Sequence, residues 1–594
     1  MTNLELFQQR MIEKKYDAYI VPTSDYHNSE YICEYFKARE FLSGFTGSQG
    51  TLVVLKESAY LWADGRYYIQ AAKQIEGKNI TLMKMGQPDV PTVEEFLAKT
   101  LKSGDILAFD GRVMNSAFVN RIKASLDSNV NVVYNSDLIS TVWTKRPKMP
   151  YSLIYKLDDF YTGKTYAEKI EDIRKEMKAQ NADYHIITSL EDQAWLYNLR
   201  GNDIKHTPVF LAFTVITSAT VSLFVDSKKL DVDTNEYLQA QDVLVKPYND
   251  FYESLKGIRG RRILIDLNKA NYAILAIIDS QSNTILNQRD PSLLMKAIKN
   301  ETEIKNIKIA HVRDGVAVTK FMYFLKTSYE QNKDMTEISV SDYLEKLRSQ
   351  NNGFVDLSFN TICAFGPHAA MMHYSANDET NAKITGNGFL LVDSGGHYLE
   401  GTTDITRTFA LGKINDKMRT HYTTVLKSVI ALSQAVFLKG CTGQNLDILA
   451  RGPIWKLGID YKCGTGHGVG NLLSVHEAPN GFRWQIVPER NDSAKLVPGM
   501  ITTNEPGIYL DDKYGIRIEN EMLCVEKETN EWGTFYGFET ITYAPIDLDA
   551  IKISLLTKEE KDWINDYHQM VFEKVSPFLS FEEKEWLTKI TKKI

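Results

Sequence analysis

Residues 389–411 read FLLVDSGGHYLEGTTDITRTFAL. An apolar run leads into Asp393, a glycine-containing turn follows, and a second strand-like run begins just after Asp404. Short apolar and β-branched runs bounded by Gly and Ser read as strands. A hairpin of this length brings the two carboxylates side by side. The pattern recurs further on: Glu505 lies in ITTNEPGIY (501–509) and Glu519 in YGIRIENEML (514–523), again on neighbouring strands. Acids are depleted in strands and costly when buried alone. Singly, each of the four reads as a turn or edge residue. Together with one histidine they read as a site.

That histidine is His467, in CGTGHGVGNLLSVHE (463–477), a stretch that also holds His476. Glycine loses more backbone freedom on folding than any other residue. Glycines this dense around His467 imply that strands or a substrate approach closely. Four carboxylates in one pocket repel, and most would have to take up protons. Two divalent cations balance four negative charges. An oxygen-rich set with one imidazole suits Mn(II), Co(II), Fe(II) or Zn(II). Competing motifs are absent. VHEAPN is not H-E-x-x-H, because Asn480 stands where the second histidine would. There is no G-x-S-x-G elbow and no G-x-x-x-x-G-K-[ST] phosphate loop.

A chain of 594 residues exceeds one hydrophobic core, so two to four domains are expected. A net charge of −7 is small for this length. It argues against nucleic acid or an anionic membrane as the main partner. No apolar run approaches the roughly 18 residues of a membrane span. The start, MTNLELFQQRMIEKKYDAYIV, has charged residues where a signal peptide needs an apolar core. Cys33, Cys363, Cys441, Cys463 and Cys524 are scattered and odd in number, with no C-x-x-C pair. A reducing, cytoplasmic setting is expected.

The fold class expected is α/β with α+β character, in three parts: 1–147, 148–297 and 298–594. The first holds an amphipathic helix, then the strand pattern YDAYIVPTSDYHNSEYI, then GTLVVLK and AYLWADGRYYIQAA. It ends near WTKRPKMPYS, where two prolines suggest a linker. The second opens with the helix TYAEKIEDIRKEMKAQNA, and DYHIITSLEDQAWLYNL echoes DAYIVPTSDYHNSEYI at the same point. This reads as two copies of one α/β unit. The third begins with a long helix with apolar positions Ile304, Ile307, Ala310, Val318 and Phe321. Strand signals there include TFALG, MITTNEPGIYL and YGIRIENEMLCV, and DKMRTHYTTVLKSVIALSQAV reads as a helix. Thr557 with Glu560, and Ser580 with Glu583, have capping-box spacing.

Asp393, Asp404, His467, Glu505 and Glu519 match in order and spacing the five metal ligands of the pita-bread metallopeptidases, whose members include methionine aminopeptidases, prolidases and aminopeptidases P. The stretches GPHAAMMHY, DSGGHYLEGTTDITRT, GTGHGVGNLLSVHE, NEPGIY and GIRIENE resemble the three-domain, cytosolic eukaryotic aminopeptidases P. So do SGFTGSQGT, WADGRYYIQAAKQ, LMKMG, WTKRP, AWLYNLRGNDIKHTPVF and LTKEEKDWINDYH. The likeness covers nearly the whole chain. It implies two creatinase-like N-terminal domains ahead of a pita-bread catalytic domain with a helical extension. It also implies removal of an N-terminal residue from peptides with proline second, by two ions, commonly manganese, bridged by a water or hydroxide. Zinc, cobalt and iron are the other candidates. The same resemblance implies a homodimer that contacts itself through the metal-bearing domain.

By this likeness Glu505 shuttles the proton, while His373 and His476 bind substrate and stabilise the tetrahedral intermediate. Read alone, His373 is a satisfied core histidine. Arg517, two residues before Glu519 and so on the same face of a strand, either pairs with that acid or contacts substrate; Tyr509 reads as strand packing. Cys463 is the departure, because the eukaryotic relatives have histidine there. A thiol makes only weak hydrogen bonds, so either the change is permissive or it shifts substrate preference in the proline pocket. A nucleophilic role is disfavoured, since metals would supply the nucleophile. Two other functions are weighed: a prolidase, confined to Xaa-Pro dipeptides, and a metal-free relative that binds peptides or proteins. Five intact ligand positions argue against the second.

Overall fold

A computed structural model describes residues 1–486 and 492–594. The chain packs as two compact units: 1–158 with 164–293, and 159–163 with 294–594.

The first unit contains two six-stranded sheets built to one plan. In the first, the strands run in the order Ile80–Lys84, Ala59–Ala63, Thr51–Leu55, Ala18–Pro22, Ile106–Ala108, Asn131–Val133. In the second the order is Val243–Pro247, Val221–Val225, Ala212–Thr217, Tyr184–Ile187, Arg262–Ile265, Thr284–Asn287. Antiparallel and parallel pairings fall at the same places in both. The sequence echo is therefore a repeated topology, with Ala18–Pro22 and Tyr184–Ile187 as equivalent inner strands. A helix precedes each. Thr2 and Glu5 cap Asn3–Glu13, and Thr165 and Glu168 cap Tyr166–Ala179, each in a reciprocal capping box. Their buried residues, Leu4, Phe7 and Met11 in one and Ile170, Ile173 and Met177 in the other, recur at helical spacing.

The second unit starts with the expected long helix, Glu301–Glu330, capped by Asn300 and Glu303. Ile307, Ala310, Val318 and Phe321 are buried on it; Ile304 is half-buried. Three strands, Ile362–Phe365, Gly388–Ser394 and Ile405–Leu411, form one antiparallel sheet. A six-stranded sheet runs Val436–Leu438, Gly533–Thr540, Asn520–Asn530, Ile501–Asn504, Gly466–Gly468, Glu477–Phe482. The helix Asp416–Ser433 buries Tyr422, Val425, Leu426, Val429 and Ile430 in a core shared with Phe389, Ile508, Ile516 and Ile518. The C-terminal helices Lys558–Val575 and Phe581–Ile590 begin at the two expected capping boxes.

MITTNEPGIYL and YGIRIENEMLCV read as strand signals, with Glu505 and Glu519 expected at strand boundaries. Both acids do stand at breaks. Ile501–Asn504 stops before Glu505, and Gly507–Leu510 pairs instead with Tyr514–Arg517 in a separate two-stranded ribbon. Glu519 lies between Tyr514–Arg517 and Asn520–Asn530. Pro506 has no N–H to donate and cannot continue a ladder. The chain changes sheets at each acid.

Candidate metal centre

The five expected ligands converge within the second unit. Asp393 ends the apolar run of its strand and pairs across the sheet with Thr406. Asp404 stands just before Ile405–Leu411, and His467 is the middle residue of Gly466–Gly468. Ligand atoms of Asp404, His467 and Glu519 all lie within 4.8 Å of one another. His467 Nε2 is 3.5 Å from Asp404 Oδ2 and 3.3 Å from Glu505 Oε1. Asp393 joins through Arg517, whose guanidinium donates to Asp393 Oδ2.

Neighbouring groups fix how each side chain points. His467 Nδ1 lies 2.9 Å from the Gly468 carbonyl. A carbonyl only accepts, so Nδ1 carries a hydrogen, and this contact turns Nε2 toward the acids. The close approach that the glycines implied is real at Gly466. A Cβ there would sit 1.9 Å from the carbonyl oxygen of Thr503 on the adjoining strand. Thr406 Oγ1 donates to Glu519 Oε2 at 2.6 Å, and Thr503 Oγ1 to Glu505 Oε1 at 3.3 Å.

The electrostatics ask for positive charge. Burial first, and then the charges of Asp393, Glu505 and Glu521, push the Asp404 carboxyl well above its ordinary range. Burial, then Asp404, Glu505 and Asp393, do the same to Glu519. Arg517 answers only part of this, since its guanidinium is spoken for by Asp393. Asp393 Oδ1 is buried without a hydrogen-bond partner among the described residues. A buried acceptor left over in a cluster of acids fits a cation ligand.

The remaining candidates lie around this cluster. The rings of His476 and His467 meet edge to face, 4.3 Å apart at 83°. His373 sits in a half-buried turn, and the carbonyl of Met372 beside it faces Arg517 Nη2 at 3.4 Å. Arg517 forms an ion pair, but with Asp393 rather than with the expected Glu519. The guanidinium also donates to Tyr509 Oη at 2.6 Å and Thr406 Oγ1 at 3.1 Å. Tyr509 thus does more than pack. Cys463 packs half-buried against the same core cluster as Tyr509. Burial, and then the charge of Glu505, push its thiol up to about 11.

Two neighbours escaped the sequence reading. Glu521 Oε1 accepts the backbone N–H of Asp404 at 2.8 Å. His311, on the helix Glu301–Glu330, is buried with Nε2 3.1 Å from Glu521 Oε2, off the hydrogen-bonding direction. The signal for Glu521 was present as the second acid of IENE, two residues after Glu519. His311 left none.

Comparison with known proteins points to a metallopeptidase. The family model for metallopeptidase family M24 matches residues 305–526, and that for its C-terminal region matches 534–594. Two models of the creatinase/prolidase N-terminal domain match 4–142 and 145–303. A probable Xaa-Pro aminopeptidase P of Talaromyces marneffei is 39% identical over 611 aligned residues, covering 100% of this chain and 92% of the relative. One of Coprinopsis cinerea is 38% identical, covering 99% and 97%. The crystal structure of X-prolyl aminopeptidase from Caenorhabditis elegans, described as a cytosolic enzyme with a di-nuclear active site, superposes with a TM-score of 0.93. It is 33% identical, and the match covers 100% of this chain and 98% of that one. Likeness of this extent, from the first creatinase-type sheet to the last helix, means that the chain belongs to the Xaa-Pro aminopeptidase P family, within metallopeptidase family M24.

Proposed function

We propose that the chain is a metal-dependent Xaa-Pro aminopeptidase that uses two divalent cations held by Asp393, Asp404, His467, Glu505 and Glu519. The observation that carries this reading is the gathering of Asp404, His467 and Glu519 ligand atoms within 4.8 Å. The orphaned Asp393 oxygen and the raised Asp404 and Glu519 carboxyls support it. The cations, when bound, supply a nucleophile at neutral pH and polarise the scissile carbonyl. Four carboxylates and one imidazole suit manganese, cobalt, iron or zinc, and the family resemblance points to manganese among them.

The chain's own residues then have distinct tasks. Glu505, partly open to solvent and steadied by Thr503, carries a proton to the departing proline nitrogen. His476 and His373 donate to the substrate carbonyl as negative charge develops on its oxygen. Arg517 holds Asp393 in place, and with Cys463 it borders the substrate's proline.

The family likeness also supports a three-domain division at about residues 148 and 298, and the repeated sheet plan agrees with the first of these boundaries. It supports a homodimer formed through the metal-bearing unit. There Trp455 and Trp484 are exposed, with ring centroids 5.8 Å apart and Leu457 exposed nearby in sequence. A cytoplasmic location accords with five free cysteines and with the description of the worm relative. The test is metal analysis of the purified protein with an assay on an Xaa-Pro-Pro peptide. Two equivalents of metal and chelator-sensitive release of the first residue are expected. Full activity after metal stripping refutes the mechanism, and activity confined to Xaa-Pro dipeptides makes the enzyme a prolidase.

A further inference from the structure

We infer that Glu337 is a positioning residue for His373, acting through the 366–382 segment that it ties down. Glu337 opens the helix Glu337–Ser349 and is completely buried. Its carboxylate collects donors from four positions along the chain. Oε1 accepts the backbone N–H of Phe365 at 2.7 Å and His368 Nδ1–H at 2.9 Å. Oε2 accepts the Tyr374 hydroxyl and the backbone N–H of Ala382, both at 2.9 Å. The backbone N–H of Glu337 returns a hydrogen bond to the Ala382 carbonyl at 3.1 Å. These positions bracket His373 on both sides, and Tyr374 is its immediate neighbour.

The segment needs such an anchor. Between the strands Ile362–Phe365 and Gly388–Ser394, its only regular element is the short 3-10 turn Gly366–Ala370. Its opposite side presses on the strand Tyr514–Arg517. A Cβ on Gly515 would stand 1.8 Å from the Ala369 carbonyl oxygen, and Arg517 reaches the Met372 carbonyl. His373 is thus carried on a strap clamped between Glu337 and the strand whose Arg517 holds Asp393. The carboxylate sits at a helix N-terminus, where the backbone dipole favours negative charge. Hydrogen bonds to a charged acceptor are each roughly twice as strong as neutral ones. A side chain displaced by about 1 Å from its working position can cost up to about a hundredfold in rate.

The inference rests on the proposed role of His373, and a double-mutant cycle separates the two. Glu337→Gln, His373→Ala and the double variant are compared by kcat/KM on an Xaa-Pro-Pro peptide, with metal content measured alongside. With His373 present, Glu337→Gln should lower kcat/KM by about tenfold. With His373 already removed, it should change kcat/KM by less than about twofold, because nothing remains to position. Bound metal should be unchanged in all three. Equal losses in both backgrounds overturn the inference and leave Glu337 a purely structural residue. Full activity in His373→Ala overturns the role of His373, and this inference with it. If Glu337→Gln does not fold, Tyr374→Phe removes one of the carboxylate's donors more gently, and the same cycle applies.

Discussion

Replacing Asp404 by asparagine should stabilise the metal-free protein and weaken the metal-loaded one. The reason lies in the sign of its pKa shift. Burial, and then three neighbouring acids, hold the Asp404 carboxyl well above its ordinary 3.8. A carboxyl raised in the folded state supports folding fully below its ordinary pKa. That support is lost as pH rises toward the folded value. Between pH 3.8 and 7 the largest loss one such group can impose is about 4 kcal/mol, at about 1.4 kcal/mol per pH unit. Asparagine has the same shape and does not ionise, so the loss disappears. Glu519, whose carboxyl is also raised partly by Asp404, is relieved as well.

Cations reverse the balance. They bind the folded site and stabilise it by mass action, and on the proposed assignment the Asp404→Asn protein has lost a ligand. Melting curves at pH 5, 6 and 7, each in chelator and in excess manganese, read both effects. A chain with several domains gives apparent midpoints, which suffice for comparison. In chelator, the wild-type midpoint should fall from pH 5 to 7 more steeply than that of the variant. In manganese, the wild type should gain markedly more than the variant. A chelated variant that melts at or below the chelated wild type at pH 7 refutes the electrostatic reasoning. Equal gains from manganese refute the assignment of Asp404 as a ligand.

Three further outcomes can be checked with simpler measurements. Cys463→His should keep both cations and alter mainly kcat or the preference among substrates; metal analysis showing neither ion would mean that position 463 supports the cluster. With the wild-type thiol pushed up to about 11, iodoacetamide near neutral pH should spare both Cys463 and activity, and rapid inactivation mapped to that residue by mass spectrometry would contradict this. Gly466→Ala places a methyl 1.9 Å from a backbone oxygen, so it should cost about 1–3 kcal/mol of stability and displace His467, with lowered melting and metal content as the readouts. An unchanged midpoint would show that the two strands can part freely.

The twin sheets of the first unit were legible because their inner strands are apolar runs preceded by capped helices, and both features leave local traces. The broken strands were less so. An apolar run looks the same whether it continues in one sheet or passes to another, although Pro506 marked one of the two breaks. The acid cluster was legible only as a set: each acid singly reads as a turn or edge residue, and it is four of them with one glycine-flanked histidine that stand out. Glu337 and His311 were not legible. Both lie on regular helices, and what distinguishes them is partners far away in sequence. The Arg517–Asp393 pair, 124 residues apart, was not legible either, since the nearby Glu519 was the partner the local spacing offered.

The breaks at Glu505 and Glu519 have a further consequence for the centre. An acid inside a continuous ladder has its backbone N–H committed to the neighbouring strand. At these positions the N–H is free to brace another part of the site. The Asp404 N–H donates to Glu521, two residues past Glu519. The Glu519 N–H donates to the carbonyl of Thr406, two residues past Asp404. The Glu505 N–H donates to the carbonyl of Thr465, two residues before His467. On an extended chain, residues two apart share a face, so each brace lands beside another of the proposed ligands. The cluster is therefore cross-tied through its own backbone. Removing one ligand should disturb its braced partner as well, and substitutions at Asp404 and Glu519 should combine non-additively in metal affinity, as expected for residues in one network.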